Sequence, residues 1–324
     1  MWKKRLRKTI KTLLRIGLIL LITLVLFEVT YRYQWIDFYK SEWQFHTKNK
    51  SPNANQQQVL VFGDSFTADA NGWIAEWEKN DSTKLIWNAA LPGIGPETQR
   101  LIFQQRIAEV NPQLVIIQLY VGNDLYDNQK PVNWSNYSFG RNLFWSLSNQ
   151  FRVLNFVNYR LGQFSSSGLD RSTTKKDDAF DVKRYSERTK LYIKGDGNYP
   201  ANSILLSEDM VDEFEELKAD LLEMKAQLPA NCQLKILIIP DCTQVHRKYI
   251  RRYRRLGSKL TTACLQESSW SKALKNAGFE LIDPLSHFQQ LEQKGTTLYF
   301  ENDPHLSAIG QQELAIFIQQ ELAK

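Results

Sequence analysis

Apolar runs of strand length recur along the chain after residue 56. They are rich in β-branched residues and apolar throughout, whereas a half-exposed strand would alternate apolar and polar positions. Continuous apolar runs are typical of a parallel sheet that helices cover on both faces. The predicted strands are residues 59–62, 84–89, 114–120, 234–239 and 279–282.

Between these runs, apolar positions recur at helical spacing. Residues 97–110 and 208–227 carry apolar side chains three or four positions apart among polar ones, which predicts helices with one buried face. A final helix is predicted after Ser307, whose hydroxyl can cap it. The alternation of strands and helices predicts a doubly wound α/β domain.

The N-terminus differs, because a basic segment precedes a nearly continuous apolar one at residues 16–27. That run is shorter than the ~20 apolar residues of a full membrane span. Lys11 and Arg15 can extend their charged ends to the headgroups, so residues 10–31 can serve as a transmembrane anchor. The alternatives are a buried helix and a cleaved signal segment. An aromatic belt is expected at the far interface, formed by Tyr31, Tyr33 and Trp35.

This segment also carries the excess positive charge. The first fifteen residues hold seven lysines and arginines and no acid, which exceeds the formal net charge of +6 for the whole chain. The remainder is close to neutral, so the charge gives no support for a nucleic-acid partner. Basic residues before a span stay cytoplasmic. The domain is therefore predicted to lie on the periplasmic side of a membrane, or to be secreted if the segment is cleaved.

The sequence thus predicts a basic tail and anchor over residues 1–35, a polar linker over 36–55 and one domain over 56–324. Residues 125–207 interrupt the alternation and are rich in Asn, Ser, Tyr and Trp. They follow a predicted strand end, where α/β folds place ligands. We therefore expect an insertion that shapes substrate access, with a surface excursion of no functional role as the alternative.

Neither a metal site nor a cofactor site is predicted. The chain has three cysteines, Cys232, Cys242 and Cys264, and no C-x-x-C pair, so zinc or thioredoxin-like chemistry has no support. In an oxidising compartment one pair can bridge and leave the third free, and three buried thiols are the alternative. No H-E-x-x-H or P-loop motif occurs.

Residues suited to nucleophilic catalysis follow the predicted strands. Ser65 comes directly after the first strand in Gly-Asp-Ser, and His305 and Asp303 precede the last helix. A serine nucleophile needs a base and a carboxylate that orients the base. His305 is the candidate base, and Asp303 the candidate acid, because Pro304 favours extended geometry at Asp303 and lets the two side chains approach each other.

Such a nucleophile also needs hydrogen-bond donors for the oxyanion of the tetrahedral intermediate. Three donors are predicted: the backbone N–H of Ser65, the backbone N–H of Gly93 after the second strand, and the side-chain amide of Asn123 after the third. Asp64 is expected to brace the turn rather than to take part in the chemistry.

Together these blocks resemble the SGNH (GDSL-type) hydrolases. The resemblance rests on "GDS" at 63–65, Gly93 in "NAALPGIG", "GND" at 122–124 and the loop "NDPHLSAIG", and it covers residues 56–324 apart from the insertion. It implies a flavodoxin-like three-layer α/β/α fold with a five-stranded parallel sheet. It also implies ester hydrolysis or acyl transfer through an acyl-serine, with Ser65, Gly93, Asn123 and His305 in the family roles.

The acid departs from the family pattern. The family spacing, Asp-x-x-His, would place Asn302 in that role, whereas this chain has Asp-x-His. A similar loop occurs in membrane-anchored members that resemble O-acetyltransferases. Asp303 is therefore the predicted acid, with Glu301 in reserve.

A basic run covers Arg247–Arg255. It is interpreted as a solvated helix face, and contact with anionic lipid or an acidic polysaccharide is the alternative.

The functional hypothesis is a membrane-anchored serine esterase. Its expected substrate is an acylated glycan or lipid ester, with O-acetyl esters among the candidates. One alternative is an O-acetyltransferase that modifies a cell-envelope polysaccharide, and another is a non-catalytic binding subunit on the same scaffold.

Overall fold

The computed structural model describes residues 2–48, 50–51, 55–129, 139–161 and 178–324. Five parallel strands form one sheet in the order β2-β1-β3-β4-β5. The order of the strands changes direction between β1 and β3, as in flavodoxin-like folds, so the predicted fold is confirmed. The strands are β1 (Gln57–Phe62), β2 (Lys84–Asn88), β3 (Leu114–Tyr120), β4 (Gln233–Ile239) and β5 (Glu280–Ile282).

Helices connect and cover the strands. The α-helices of the described residues are α1 (Trp2–Arg32), α2 (Lys40–Thr47), α3 (Trp73–Asn80), α4 (Pro96–Val110), α5 (Asp124–Gln129), α6 (Phe139–Gln150), α7 (Val153–Arg160), α8 (Glu187–Gly195), α9 (Ala201–Leu205), α10 (Val211–Ala226), α11 (Cys242–Val245), α12 (Arg247–Arg255), α13 (Ser269–Asn276), α14 (Leu285–Gln293) and α15 (Ala308–Leu322). Short 3₁₀ turns lie at Glu208–Met210 and Thr262–Cys264.

The sheet is the middle of three layers. On one face α3 packs against α15, and on the other α4 packs against α10. Every residue of β3 is buried, which explains the continuous apolar run of that strand. Ser307 caps α15 as predicted, because its hydroxyl accepts a hydrogen bond of 3.2 Å from the N–H of Gly310.

Helix α1 is long and apolar enough to cross a membrane, over Arg5–Arg32. Its last turns are packed on the domain, unlike the rest of the helix. Tyr31 is 1% exposed and packs on Phe38, so the domain core takes up its ring, which was not expected from the sequence. Tyr33 and Trp35 are exposed and stacked, with ring centroids 6.2 Å apart.

The segment expected as a linker, residues 36–55, contains α2, which contacts β2. Phe38 and Tyr39 are buried, and the Tyr39 hydroxyl lies 3.0 Å from that of Tyr31. Glu28 of α1 accepts hydrogen bonds from the N–H groups of Arg152 (2.9 Å) and Val153 (2.8 Å) at the start of α7. The end of α1 is therefore fixed to the domain by polar and apolar contacts.

The stretch expected as an insertion, residues 125–207, contributes α6 to α9 and most of α5 in its described parts, while residues 130–138 and 162–177 lie outside the described residues. The three cysteines, Cys232, Cys242 and Cys264, are free thiols.

The basic run forms α12. Its Tyr249, Ile250 and Tyr253 are buried, which fixes the opposite face toward solvent. Arg252 pairs with Glu301, whereas Arg247 and Arg251 are exposed. The helix therefore has the expected solvated face. Contact of this face with anionic lipid or an acidic polysaccharide stays a prediction.

Candidate active site

Ser65 lies in a tight turn at the carboxyl end of β1. The Asp64 carboxylate accepts the N–H of Phe66 at 2.9 Å, and the Gln118 side-chain oxygen accepts the N–H of Asp64 at 3.0 Å. A Cβ on Gly63 would lie 2.5 Å from that same oxygen, so glycine permits the close approach. Asp64 therefore braces the turn, and Ser65 remains half-buried at its tip.

Ser65, His305 and Asp303 form a continuous chain of hydrogen bonds. The Oγ of Ser65 lies 2.7 Å from Nε2 of His305. Nδ1 of His305 is hydrogen-bonded to Oδ1 of Asp303, which also accepts the N–H of His305 at 2.9 Å. With the proton on Nδ1, Nε2 is left as the acceptor for the Ser65 hydroxyl.

A short closed loop carries the histidine to this position. An antiparallel bridge between Tyr299 and Leu306 closes the loop, and the His305 carbonyl accepts the N–H of Phe300 at 3.0 Å. The His305 ring stacks on Phe66, with centroids 4.6 Å apart. Backbone and ring contacts together therefore fix the orientation of the imidazole.

Glu301, the reserve acid, and Asn302, at the Asp-x-x-His position, point away from His305. The Glu301 carboxylate pairs with Arg252 of α12. Asn302 is buried, and its side chain accepts the N–H of Asp181 at 2.8 Å and donates to the carbonyl of Asp178 at 2.7 Å. Of these three neighbours on the loop, Asp303 contacts the histidine, and Asn302 attaches the insertion to the loop.

The three expected oxyanion donors lie at neighbouring strand ends. Gly93 follows β2 with φ of +76°, a left-handed conformation that favours glycine. Asn123 follows β3, and Ser65 follows β1, which lies between β2 and β3 in the sheet. The reversal of strand order between β1 and β3 is where folds of this topology bind ligands.

Asn123 is held by a network that the sequence did not reveal. Its side-chain nitrogen donates to Oδ2 of Asp127 at 2.6 Å. Asp127 also accepts hydrogen bonds from Arg188, at 2.7 Å to each oxygen, and from the Tyr192 hydroxyl. The amide NH₂ group carries two hydrogens, so the bond to Asp127 fixes its orientation and leaves one N–H for a ligand.

One signal for Asp127 was present in the sequence, because Asn123 and Asp127 are four residues apart, a spacing that brings side chains together at the start of a helix. Arg188 and Tyr192 gave no such signal, since they belong to α8 in the insertion.

A polar cleft opens beside Gly93, one of the three expected oxyanion donors. Gly93 and Asp127 line one part of it, and Tyr39 and Thr98 another. Helix α7 supplies the remaining wall with Asn155, Asn158 and Tyr159. Amide and hydroxyl groups suit a ligand with several hydrogen-bonding groups. Among the described residues, no group of three His, Cys, Asp or Glu side chains is arranged to hold a metal ion.

Two buried carboxyl groups lie behind the nucleophile. Burial raises the pKa of Asp64 to about 6, opposed by its hydrogen bond from Phe66 and by the charge of His305. Burial also raises the pKa of Asp124 well above its usual range, and the charge of Asp64 adds to this. Each group therefore favours its protonated form more strongly in the folded protein than in the unfolded chain.

Solved structures of similar fold have low sequence identity to this chain. The acetyl xylan esterase AlAXEase is 14% identical, with a TM-score of 0.41 over 82% of this chain and 99% of that one. A catalytic mutant of Axe2, an acetylxylan esterase from Geobacillus stearothermophilus, is 11% identical, with a TM-score of 0.43 over 85% of this chain and 97% of that one.

A lipolytic protein of the G-D-S-L family from Veillonella parvula is 9% identical, with a TM-score of 0.41 over 83% of this chain and 99% of that one. The fold is the one that the SGNH resemblance implies. No protein-family model and no curated protein matches the chain.

The raised pKa of Asp64 gives a prediction for stability. The pKa of Asp64 is about 6 in the folded protein and 3.8 in the unfolded chain. The folded protein therefore loses stability as pH rises through this window, because the unfolded chain ionises first. Relative to Asp64→Asn, the wild-type free energy of unfolding should fall by roughly 2 kcal/mol between pH 4 and pH 7. Urea unfolding in detergent across this range measures the difference.

Asp69→Asn is the control, since Asp69 is an exposed carboxylate of the same segment, and it should follow the wild-type pH dependence. A constant difference between wild type and Asp64→Asn across the range would contradict the expectation.

Proposed function

We propose that this protein is a serine-dependent esterase of SGNH type that acts on O-acyl esters, O-acetyl esters among them. The hydrogen-bond chain from Ser65 through His305 to Asp303 carries the proposal. It supplies a nucleophile, a base and an orienting carboxylate in the order that acyl transfer requires.

In the proposed reaction, Ser65 Oγ attacks the ester carbonyl carbon while its proton passes to Nε2 of His305. Asp303 accepts the Nδ1–H of His305 and stabilises the imidazolium. The tetrahedral intermediate then collapses, and the departing alcohol takes the proton from Nε2. Water repeats the sequence on the acyl-serine, which releases the carboxylic acid and restores the Ser65 hydroxyl.

The negative charge of each tetrahedral intermediate develops on the former carbonyl oxygen. The N–H groups of Ser65 and Gly93 and the free N–H of the Asn123 amide are the proposed donors. Donors fixed before the reaction need no reorganisation at the transition state, and loss of one typically costs about 10²–10³ in rate. Asp127 is a positioning residue in this scheme, because it fixes the amide of Asn123.

The proposed location is the outer side of a membrane, with α1 as the anchor and the basic N-terminus in the cytoplasm. The apolar composition of α1 and the seven basic residues before its apolar run support this orientation. An acylated envelope glycan or lipid is the proposed substrate. The O-acetyltransferase alternative shares the acyl-serine and differs in using a sugar hydroxyl in place of water.

Covalent labelling tests the nucleophile. A fluorophosphonate probe should label the wild-type protein, and Ser65→Ala should abolish labelling because the attacking hydroxyl is gone. Ser82→Ala removes an exposed serine outside the site and should label like wild type. In-gel fluorescence of the full chain measures the outcome, and equal labelling of wild type and Ser65→Ala would refute the assignment.

The acid is tested by comparing two neighbouring carboxylates. Asp303→Asn should lower kcat for an acetyl ester about 10³–10⁴-fold, because the imidazole loses the carboxylate that orients it. Glu301→Gln should retain most of the activity, since Glu301 pairs with Arg252. Steady-state hydrolysis measures both. Wild-type activity in Asp303→Asn, or a larger loss in Glu301→Gln, would transfer the role to another group.

A double-mutant cycle tests the role of Asp127. Asp127→Asn should lower kcat by about 10-fold or more with little change in KM, because the Asn123 amide loses its fixed orientation. In an Asn123→Ala background the same substitution should have little further effect on kcat. Additive losses in the cycle, or a change confined to KM, would instead assign Asp127 to substrate binding in the cleft.

A further inference from the structure

Helix α6 presents an unusual surface for the exterior of a domain. Its Phe139, Leu143 and Leu147 are 81%, 46% and 44% exposed and lie four residues apart, so they form one stripe along the helix. The opposite side of α6 faces the core through Trp145 and Ser148. Arg141 is the one charged residue in the sequence of this helix. The solvent-facing side of α6 thus carries an apolar stripe, with the uncharged Ser146, Asn149 and Gln150 also exposed.

This stripe leads to the end of the proposed anchor. The carbonyl of Gln150, the last residue of α6, accepts a hydrogen bond of 3.3 Å from Arg32, the last residue of α1. Directly after α6, the N–H groups of Arg152 and Val153 bond to the Glu28 carboxylate of α1. The C-terminal ends of α1 and α6 are therefore adjacent.

The domain also contacts α1 within its apolar part. Leu24 is partly buried against the core of the domain, and the Phe27 ring lies 5.6 Å from that of Phe38. Leu24 lies roughly 12 Å below Arg32 along the helix, at ~1.5 Å per residue. If the apolar run of α1 lies in hydrocarbon, the part of the domain beside it reaches the outer edge of the bilayer.

We propose that α6 lies on the outer leaflet of the membrane and inserts Phe139, Leu143 and Leu147 among the lipids. An amphipathic helix of this kind buries its apolar face ~5–10 Å into the boundary between headgroups and acyl chains. The exposed Tyr33 and Trp35 just after the anchor are residue types enriched at that depth. The proposal rests on the assignment of α1 as a membrane anchor and is independent of the catalytic roles.

Depth-dependent fluorescence quenching tests the proposal on the full chain in lipid vesicles. A Cys232→Ser background leaves the buried Cys242 and Cys264 as the native thiols. Single cysteines for an environment-sensitive fluorophore are then placed in α6 with Leu143→Cys and Leu147→Cys. Both positions are exposed, so the label requires no repacking of the core. Vesicles contain phospholipids brominated either near the headgroup or deep in the acyl chain.

Two further labels make the outcomes distinguishable. Ile22→Cys lies in the apolar run of α1 and reports whether the anchor is in the bilayer. Ile309→Cys is a matched apolar position, 50% exposed, on α15 at the opposite face of the sheet from α4. It reports the background quenching of an exposed helix position.

We expect the shallow quencher to reduce fluorescence at positions 143 and 147, and the deep quencher to reduce it at position 22. Neither quencher should reduce fluorescence at position 309. If position 22 is quenched while 143 and 147 behave like 309, the anchor stands and the proposal is wrong. A label at position 143 whose emission is blue-shifted but not quenched by brominated lipid would show that a protein partner or a second copy covers the stripe. That result would also overturn the proposal. An unquenched position 22 would overturn the anchor and the proposal together.

Discussion

Parallel hydrogen bonding of β1 between β2 and β3 is the constraint on which the site depends. Because the three strands run in one direction, their carboxyl ends meet at one edge of the sheet and deliver Gly93, Ser65 and Asn123 to it. The reversal of strand order between β1 and β3 leaves a crevice at that edge. The histidine loop before α15 then has to supply only His305 and Asp303.

That loop divides its polar side chains among three tasks. Glu301 pairs with α12, Asn302 binds the backbone of residues 178–181 in the insertion, and Asp303 contacts His305. The loop bends at residues 301–305, and this brings Asp303 to both the backbone N–H and the ring of His305, while Asn302 turns to residues 178–181. Residue 302, three positions before His305, therefore holds residues 178–181 and does not contact the histidine side chain, which is paired with Asp303.

The sheet and the residues at its edge were predictable because both depend on local pattern. Continuous apolar runs identified the strands, and parallel topology then implied that Ser65, Gly93 and Asn123 would be neighbours. The support of Asn123 was not predictable, since Arg188 and Tyr192 come from an insertion whose sequence has no clear period. The burial of Tyr31 was also missed, because an aromatic residue after an apolar run suits a membrane interface and a domain core equally well. The contacts of Tyr31 with Phe38 and Tyr39 place its ring in the domain core.

Glu28 fixes the domain to the end of α1. A buried carboxylate is costly unless hydrogen bonds satisfy it, and this one accepts the N–H groups that begin α7. Those N–H groups would otherwise be unpaired at the start of the helix, so each side of the junction satisfies the other. Helix α7 carries Asn155, Asn158 and Tyr159 of the cleft. One carboxylate near the end of α1 therefore fixes the wall of the cleft relative to that helix.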